Sequence, residues 1–436
     1  MSDKKLRRLP LAAAALLACM SAQADYTSPD GKFRMSGFGT IGYSRASTDD
    51  VYFNYKGQGG GSKKSGSLNP DSKIAVQGTY KITDTVSGTG QIMAKYDADG
   101  DYIPTFEWAF VKWQAMPSLS FRAGRMGAPF FMISDFRDVG YANTTVRPPL
   151  DVYAQVPVSN FEGVDATHQL SLGSVTLTSS ALYGEANADY ANALFAGGNP
   201  SAPARIKLKN LTGLNFLAEL DNGLMLRLGH VQGKLSIDSS TPGTLTSQLT
   251  NAGILPSSGL APEARALIAT VTQSDTDASF TGVGLAYDQN NIVASAEYTM
   301  RRINGGYVSD TTGWYTTLGY RFGSWLPYVG YGKVKVDDPN ASMPTLIGLG
   351  GSDAEKAVQA TLNTQKVSQK TATAGIRWDA KPGLAIKAQY DHISKPVDSY
   401  GMFLAADPLR DVATGSTFLN AKKSINVVTL SVDFVF

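Results

Sequence analysis

Residues 86–97, Val-Ser-Gly-Thr-Gly-Gln-Ile-Met-Ala-Lys-Tyr-Asp, alternate between two kinds of side chain. Ile92 and Tyr96 share one face of an extended segment with small residues. Gln91 and Lys95 share the other face. Successive side chains of a β-strand point to opposite sides, so this stretch predicts a strand with one apolar and one polar face. A soluble β-sandwich alternates in the same way, so the period alone leaves both fold classes open.

The same period of two recurs along the rest of the chain, in segments of about ten residues, the length with which a tilted strand crosses a membrane. The sixteen predicted strands lie near residues 33–45, 71–81, 85–97, 104–115, 118–126, 161–171, 174–185, 205–220, 223–237, 278–290, 291–303, 311–323, 324–336, 366–380, 383–395 and 423–436.

The connections between these segments alternate strictly in length. Seven are tight links, at residues 83–84, 116–117, 173, 221–222, 289–290, 323 and 381–383. The other eight are mostly long, as at 127–160 and 238–277. In hydrocarbon each unpaired backbone group costs several kcal/mol, so strands can cross a membrane only in a closed sheet. The pattern therefore predicts an all-β, transmembrane, antiparallel up-and-down barrel of about 16 strands, and a sandwich gives no reason for it.

The first residues have the pattern of a secretory signal peptide. A basic head precedes the apolar stretch 9–20, which ends in an Ala-Gln-Ala motif at 22–24. This predicts cleavage of residues 1–24 and export of residues 25–436 as a single barrel domain. The only cysteine, Cys19, falls in the predicted signal, so neither a disulfide nor a cysteine site is expected in the exported chain. Acylation of that cysteine, as in a lipoprotein, is the alternative.

The last predicted strand carries an apolar ladder on one face. Its members are Val428, Leu430, Val432, Phe434 and Phe436. Such a ladder with a terminal aromatic residue resembles the final strand of outer-membrane barrels, which their assembly machinery recognises. Phe436 is therefore predicted to be an assembly signal. A final amphipathic strand of any other β protein would also show the ladder.

Three places resemble the Gram-negative general porin family: the opening strand 35–43, the strand end 122–125 with the long loop after it, and Phe436. Members of that family are sixteen-stranded outer-membrane barrels, usually trimeric, that let small polar solutes and ions diffuse through a water-filled channel. The resemblance implies a homotrimer in outer-membrane lipid, contact with the barrel assembly machinery, and neither a cofactor nor an enzyme activity. A substrate-selective channel is the alternative, and an outer-membrane hydrolase or adhesin is a further one.

In the family, the loop after the fifth strand folds into the barrel and narrows the pore. Here the corresponding loop is 127–160, which is unusually apolar and aromatic for a connection expected to lie in water. Its charged side chains are expected to face the remaining opening and are Asp135, Arg137, Asp138, Arg147 and Asp151. A lid or surface loop held by local salt bridges is the alternative.

Basic side chains of the early strands face the inserted loop in porins. Alternation places Arg34, Lys73 and Lys95 on the predicted water-facing side of the first three strands. Arg122 is expected to join this basic wall, whereas Arg125 has the opposite parity. Opposed rings of charge select ions and orient dipolar solutes at a narrow aperture. Each of these cations could also be a solvated lumen residue.

Three other features of the sequence are weak evidence for nucleotide binding, catalysis or metal binding. Residues 37–42 match the dinucleotide-binding spacing G-x-G-x-x-G, but they lie within an alternating strand and no helix follows. His168, His230 and His392 are far apart in sequence, and a hydrolase would have to bring one of them to a serine or aspartate across strands. Asp97, Asp99 and Asp101 are interpreted as a solvated acidic loop, so no metal site is expected, and calcium binding at the mouth is the alternative.

Two of the long loops contain short helical patterns, at 262–270 and at 352–363, the second with a capping box. They leave open whether the pore is general or adapted to one class of solute. The formal net charge of +2 gives no indication of a nucleic-acid partner.

Overall fold

Sixteen long antiparallel strands form one closed sheet in the computed structural model, which describes residues 26–191, 203–415 and 418–436. The predicted signal peptide and Cys19 lie outside these residues. The strands are β1 (Phe33–Ala46), β2 (Lys73–Lys81), β3 (Val86–Lys95), β4 (Thr105–Met116), β5 (Leu119–Gly127), β6 (Asn160–Leu172), β7 (Val175–Tyr190), β8 (Ala204–Leu220), β9 (Leu224–Asp238), β10 (Gln273–Gln289), β11 (Ile292–Asn304), β12 (Asp310–Tyr320), β13 (Trp325–Asp338), β14 (Gln369–Lys381), β15 (Leu384–Lys395) and β16 (Lys423–Val435).

Each strand pairs with its neighbours in sequence, and β16 pairs with β1 to close the barrel, with Leu430 opposite Tyr43. The prediction of a sixteen-stranded up-and-down barrel is confirmed. The largest boundary error is five residues, at the end of β7 and at the start of β10. In addition to these sixteen strands, Tyr26–Thr27 forms a short strand beside β1, and Val51–Tyr52 pairs with Leu404–Ala405.

The two ends of the barrel differ, as the connection lengths predict. Seven turns of two to four residues lie at one end, here called the turn end. The other end, here called the loop end, carries the long connections, among them 47–72, 128–159 and 239–272. Tight turns at one end bring consecutive strands together as hairpins, and the long loops at the other end are free to fold over or into the barrel.

The barrel wall is apolar outside and polar inside. On β16, Val428 and Leu430 are 51 and 55% exposed, whereas Thr429 and Ser431, which alternate with them, are buried. At the turn end, the rings of Trp325 and Trp378 stack on neighbouring strands, with centroids 5.3 Å apart. An outer apolar band with aromatic side chains near its edge is the surface of a barrel that spans a membrane.

Two glycines close the seam between β1 and β16. A Cβ atom at Gly37 would collide with the ring of Phe436, and one at Gly39 with the ring of Phe434. Phe436 also exchanges two backbone hydrogen bonds with Gly37, of 2.6 and 2.9 Å. The glycine spacing that matches a dinucleotide motif therefore serves close strand packing at the seam.

In the part of the chain that the structure describes, five α-helices lie in the long connections: α1 (Leu150–Tyr153), α2 (Ser240–Asn251), α3 (Ala261–Thr270), α4 (Asp353–Asn363) and α5 (Pro408–Thr414). A 3₁₀ turn covers Gly140–Ala142. Both predicted loop helices are confirmed, as α3 and α4, and the Ser352 side chain caps α4 by accepting from the Glu355 amide at 3.2 Å. Within the described residues, no helix has the length and apolar content to span a membrane.

The inner face of the barrel is apolar in one region. Inward side chains of β8 and β9 near the loop end, such as Ile206 and Leu235, share one buried cluster with Leu245 of α2, Leu267 of α3 and Val358 of α4. The loop helices thus find their apolar partners on the inner wall. Strand alternation predicts a polar inner face throughout, and this region departs from it.

Candidate functional site

The connection between β5 and β6, residues 128–159, contacts strands on the far side of the barrel from those it joins; it is here called the β5–β6 loop. The Met132 amide donates to Glu297 Oε1 of β11 at 2.8 Å. The Val146 amide donates to Gln389 Oε1 of β15 at 3.0 Å. Neighbours of these acceptors on the same strands, such as Tyr298 and Tyr390, are exposed on the apolar outer face. The loop is therefore bonded to the polar face of β11 and β15.

Lys387 of β15 holds one turn of this loop. Its fully buried ammonium group donates to the carbonyl oxygens of Gly140 at 2.7 Å, Asn143 at 2.6 Å and Thr145 at 3.0 Å. It also lies 3.0 Å from the carboxylate of Asp433 on β16. One charged group thus donates to three loop carbonyls, which fixes the loop against the wall.

Arg147 joins the loop to three further parts of the chain. Its guanidinium makes a bidentate pair with Asp71, at 2.8 and 2.7 Å, and a further bond to Asp391 Oδ2 of β15 at 3.2 Å. It also donates to the hydroxyl of Thr429 at 2.7 Å. Arg147 is only 3% exposed, so the expectation that it faces the opening is wrong. Two carboxylates stabilise the buried charge there, and the residue tethers the loop.

Asp151 is buried as well, at 1% exposure, which contradicts its predicted place at the opening. It lies in α1, where Gln369 Nε2 of β14 donates to its Oδ1 at 3.3 Å. Burial raises the pKa of Asp151 to about 7. The residue packs the loop against β14, where Gln369 donates a hydrogen bond to it.

Asp138 is in direct contact with the predicted basic wall. Its carboxylate lies 2.8 Å from Lys73 Nζ of β2 and 3.6 Å from Lys95 Nζ of β3. The Nε atom of Arg137 lies 3.9 Å from the same carboxylate, so this ion pair is a long one. Burial acts to raise the pKa of Asp138, but these three cations together hold it well below its ordinary value. The structure thus brings Asp138, Lys73 and Lys95 together, with Glu107 of β4 at 2.9 Å from Lys95.

The remaining predicted residues are not part of this contact. Arg122 lies on the inner face of β5, where its Nε is 3.0 Å from both carboxylate oxygens of Asp165 on β6. Arg125 has the opposite parity and pairs with Glu162 at 2.8 Å. Arg34 is exposed near the turn end of β1, opposite Thr79, and Asp135 is exposed in the β5–β6 loop.

A cavity of about 650 Å³ lies beside the contact of Asp138 with the two lysines. Its lining includes Lys73, Lys95, Arg137, Asp138 and Glu107. On the other side of the loop, between α1 and the strands β12 to β15, the space is reduced to about 40 Å³. Of these two spaces, the larger by far is thus the one on the side of the loop that faces β2 and β3.

Sequence reasoning missed most of the residues that hold the loop in place. They are Asp71, Glu297, Gln369, Arg377, Lys387, Gln389 and Asp391. Their signal was present, because on β15 the polar residues Lys387, Gln389 and Asp391 alternate with apolar ones. The resemblance to general porins implies basic side chains on the early strands and gives no indication of those on β15. Among residues 26–191, 203–415 and 418–436, no group of three or more His, Cys, Asp or Glu side chains is placed to hold a metal ion.

No protein-family profile matches the sequence, and no curated protein is significantly similar to it in sequence. Solved structures are similar in fold. OmpF of Salmonella typhi, in complex with daunomycin, is 14% identical over 95% of this chain and 100% of its own, with a TM-score of 0.51. The outer membrane channel DcaP of Acinetobacter baumannii is 11% identical over 95% of this chain and 100% of its own, also at 0.51. An anion-selective porin from Comamonas acidovorans is 10% identical over 93 and 99%, at 0.50. The chain therefore has the fold of Gram-negative outer-membrane porins.

Proposed function

We propose that this chain is a porin of the Gram-negative outer membrane, a water-filled channel through which small polar solutes and ions diffuse. The observation that carries the proposal is the set of bonds between the β5–β6 loop and the polar face of β11 and β15, above all those of Lys387 and Arg147. In this proposal the loop crosses the lumen and narrows it. The cavity of about 650 Å³ beside β2 and β3 is then the part of the lumen left open.

Charges of both signs would act at the narrow part. Asp138 from the loop meets Lys73 and Lys95 from the wall. These charges line the open cavity beside their contact, and charged groups that line a narrow channel orient dipolar solutes and select ions by sign. Transport would be passive, since solutes would move down their gradients and be slowed only by size and charge at this point.

The hydrolase alternative is weakened by where the histidines lie. His168, His230 and His392 are on three strands, each with the parity of the outer face, as their exposed neighbours Val164, Leu228 and Tyr390 show. None of the three is thus on the inner face, where a lumen active site would have to be built. We therefore propose that the chain is not an enzyme. A substrate-selective channel remains the second candidate, because part of the inner wall is apolar.

We also propose an oligomeric state and an assembly signal, because the fold is that of porins. The exposed outer faces of the strands suit lipid or a neighbouring subunit, and we propose a homotrimer. Phe436 ends the strand that closes the barrel and packs on Gly37, which suits a signal read by the assembly machinery before closure.

The test is the conductance of the refolded protein in a planar bilayer under a salt gradient. Stable open steps are expected, and Asp138→Asn should shift the reversal potential toward anions because it removes the carboxylate that contacts both Lys73 and Lys95. Asp353→Asn, at an exposed helix start, is the matched control and should leave the potential unchanged. A folded barrel that never conducts would overturn the proposal in favour of an enzyme or adhesin.

A further inference from the structure

Inward side chains near the loop end of β8 to β11 form an apolar wall where a diffusion channel calls for polar ones. Val231 of β9 and Phe280 of β10 lie opposite each other in register and are buried. With Ile206, Leu208 and Ile303 they line a cavity of about 90 Å³. The loop helices cover much of this wall but do not fill the space in front of it.

A second cavity, of about 100 Å³, adjoins the first. Both are lined by Ile206, Ile237 and Val308, and both are bordered by Arg301 of β11. An apolar cavity of roughly 150 Å³ is enough for a benzene-sized molecule. The two spaces together therefore suit a small aromatic or aliphatic group.

The guanidinium group of Arg301, beside these cavities, has an N–H group without a hydrogen-bond acceptor in the described chain. Its Nη1 donates to the carbonyl of Gln155 at 2.6 Å and its Nη2 to that of Ser309 at 2.7 Å. Its Nε is buried and has no hydrogen-bond partner within the described chain. The nearby carboxylate of Asp310 is engaged elsewhere, as it accepts from the Ile303 amide at 2.8 Å.

Lys56, in the 47–72 loop, borders the second cavity together with Arg301. Within the residues that the structure describes, its ammonium group forms no hydrogen bond or ion pair. Burial and the neighbouring charge of Arg301 lower the pKa of Lys56 to about 8. Two partly buried cations that repel each other would both be stabilised by an anion between them.

We propose that these cavities bind an amphipathic carboxylate, with its carboxylate between Lys56 and Arg301 and its apolar body against Ile206, Val231 and Phe280. The inference rests on the proposed channel function and narrows it to a channel with a preferred solute class. Lys56 also borders the cavity of about 650 Å³, so a solute bound here lies beside the proposed route.

Benzoate tests this chemistry, with binding measured by titration calorimetry of the full refolded protein in detergent. Benzoate should bind at least about tenfold more tightly than acetate, which lacks the apolar body, a difference of about 1.4 kcal/mol. Benzylamine, with the same body and the opposite charge, should not bind. Equal affinities for benzoate and acetate, or binding of benzylamine, would overturn the inference.

Two variants probe the two halves of the site independently. Lys56→Gln removes one cation from a loop, and Val231→Phe fills the apolar cavity without changing charge. Each should weaken benzoate binding about tenfold or more, whereas Lys370→Gln, on the exposed face of β14, should not change it. Unchanged benzoate binding in both variants of the site contradicts the inference. Heat-modifiable mobility in gels, if it is retained, shows that each variant is folded.

The inference and the channel proposal can fail separately. In bilayers, benzoate should produce brief, concentration-dependent closures of the wild-type channel that Lys56→Gln reduces. A protein that conducts but binds no benzoate disproves the site alone. A protein that binds benzoate and never conducts disproves the channel and keeps the site.

Discussion

Buried charges at the β5–β6 loop divide into those that have a counter-charge and one that does not. Asp138 meets Lys73 and Lys95, and Arg147 meets Asp71 and Asp391. Asp151 is held only by neutral hydrogen-bond donors, among them Gln369. Burial without a counter-charge opposes the ionisation of Asp151, so the contribution of this residue to stability must depend on pH.

For Asp151→Asn we predict a stability gain that grows with pH. Burial raises the pKa of Asp151 to about 7, from an ordinary value of 3.8. Well below pH 3.8 the carboxyl group is protonated in both states, so the variant should match the wild type there, and at pH 4 the gain should still be small. Between pH 4 and 7 only the unfolded chain readily ionises, which destabilises the wild type. The gain at pH 8 should reach at most about 4 kcal/mol, since one pKa unit is about 1.36 kcal/mol.

Urea unfolding in detergent at pH 4, 6 and 8 measures this gain. Asp84→Asn is the control, because Asp84 is exposed in the turn between β2 and β3 and should show little change at any pH. A gain of equal size at pH 4 and pH 8 would mean that ionisation of Asp151 is not its source.

At the scale of single residues, strand alternation predicts the face of the strand on which a side chain lies, but not the residue that it contacts. Alternation predicts Lys73, Lys95 and Arg122 on one face of their strands and Arg125 on the other. In the structure the first three pair with Asp138, Glu107 and Asp165, and Arg125 pairs with Glu162. Alternation could not show that Arg147 meets Asp391, because the two are 244 positions apart and one of them is in a loop without periodicity. Contacts between a loop and a wall depend on the folded path of the loop, which no local pattern encodes.

At the scale of elements, the strands were predictable because each must present one apolar face over about ten residues. Helices α3 and α4 were predictable from their composition and from the Ser352 cap. Helix α2, Ser240–Asn251, was missed because it is rich in Ser and Thr and contains a glycine. Its Leu245 and Leu249 are buried in the inner apolar cluster, so tertiary packing rather than propensity stabilises it.

The β5–β6 loop should depend strongly on its buried tether. In Arg147→Met the carboxylates of Asp71 and Asp391 lose their shared cation while they remain buried. Removal of one partner from a buried ion pair costs about 3–5 kcal/mol. We expect a loss of unfolding free energy in that range and faster proteolytic cleavage within residues 128–159.

Arg205→Met is the matched control for the tether. Arg205 makes a similar pair with Asp189, at 2.7 and 3.0 Å, but both side chains are largely exposed. Exposed pairs contribute about 0–1 kcal/mol, so this variant should change neither stability nor cleavage by much. Equal effects of the two variants would show that the buried tether does not hold the loop.

At the scale of the whole molecule, the exposed surface is the reverse of that of a soluble protein. The outer wall is apolar around the middle of the barrel, as at Val283 and Leu285 of β10. Toward the loop end of the same wall lie charged pairs, such as Lys234 of β9 with Asp277 of β10. Another pair, Arg302 of β11 with Asp337 of β13, reaches across the strand between them. The outer wall thus has a depth profile, apolar where lipid is expected and charged where water is expected.

This profile predicts that one substitution has unequal costs at two depths of the same strand face. Val283 and Ser279 both point outward from β10, four residues apart, with Val283 in the apolar band and Ser279 beside the charged pairs. Arginine costs about 2–4 kcal/mol on the lipid face near the midplane of a bilayer and about 0–1 kcal/mol near its edge. Val283→Arg should therefore lower the unfolding free energy in lipid vesicles by about 2–4 kcal/mol, and Ser279→Arg by much less. In detergent micelles, which can deform around a charge, the difference should shrink. If the two variants cost the same in vesicles, the outer wall of β10 does not lie in a bilayer at the depth that its composition indicates, and the barrel must be placed in another environment.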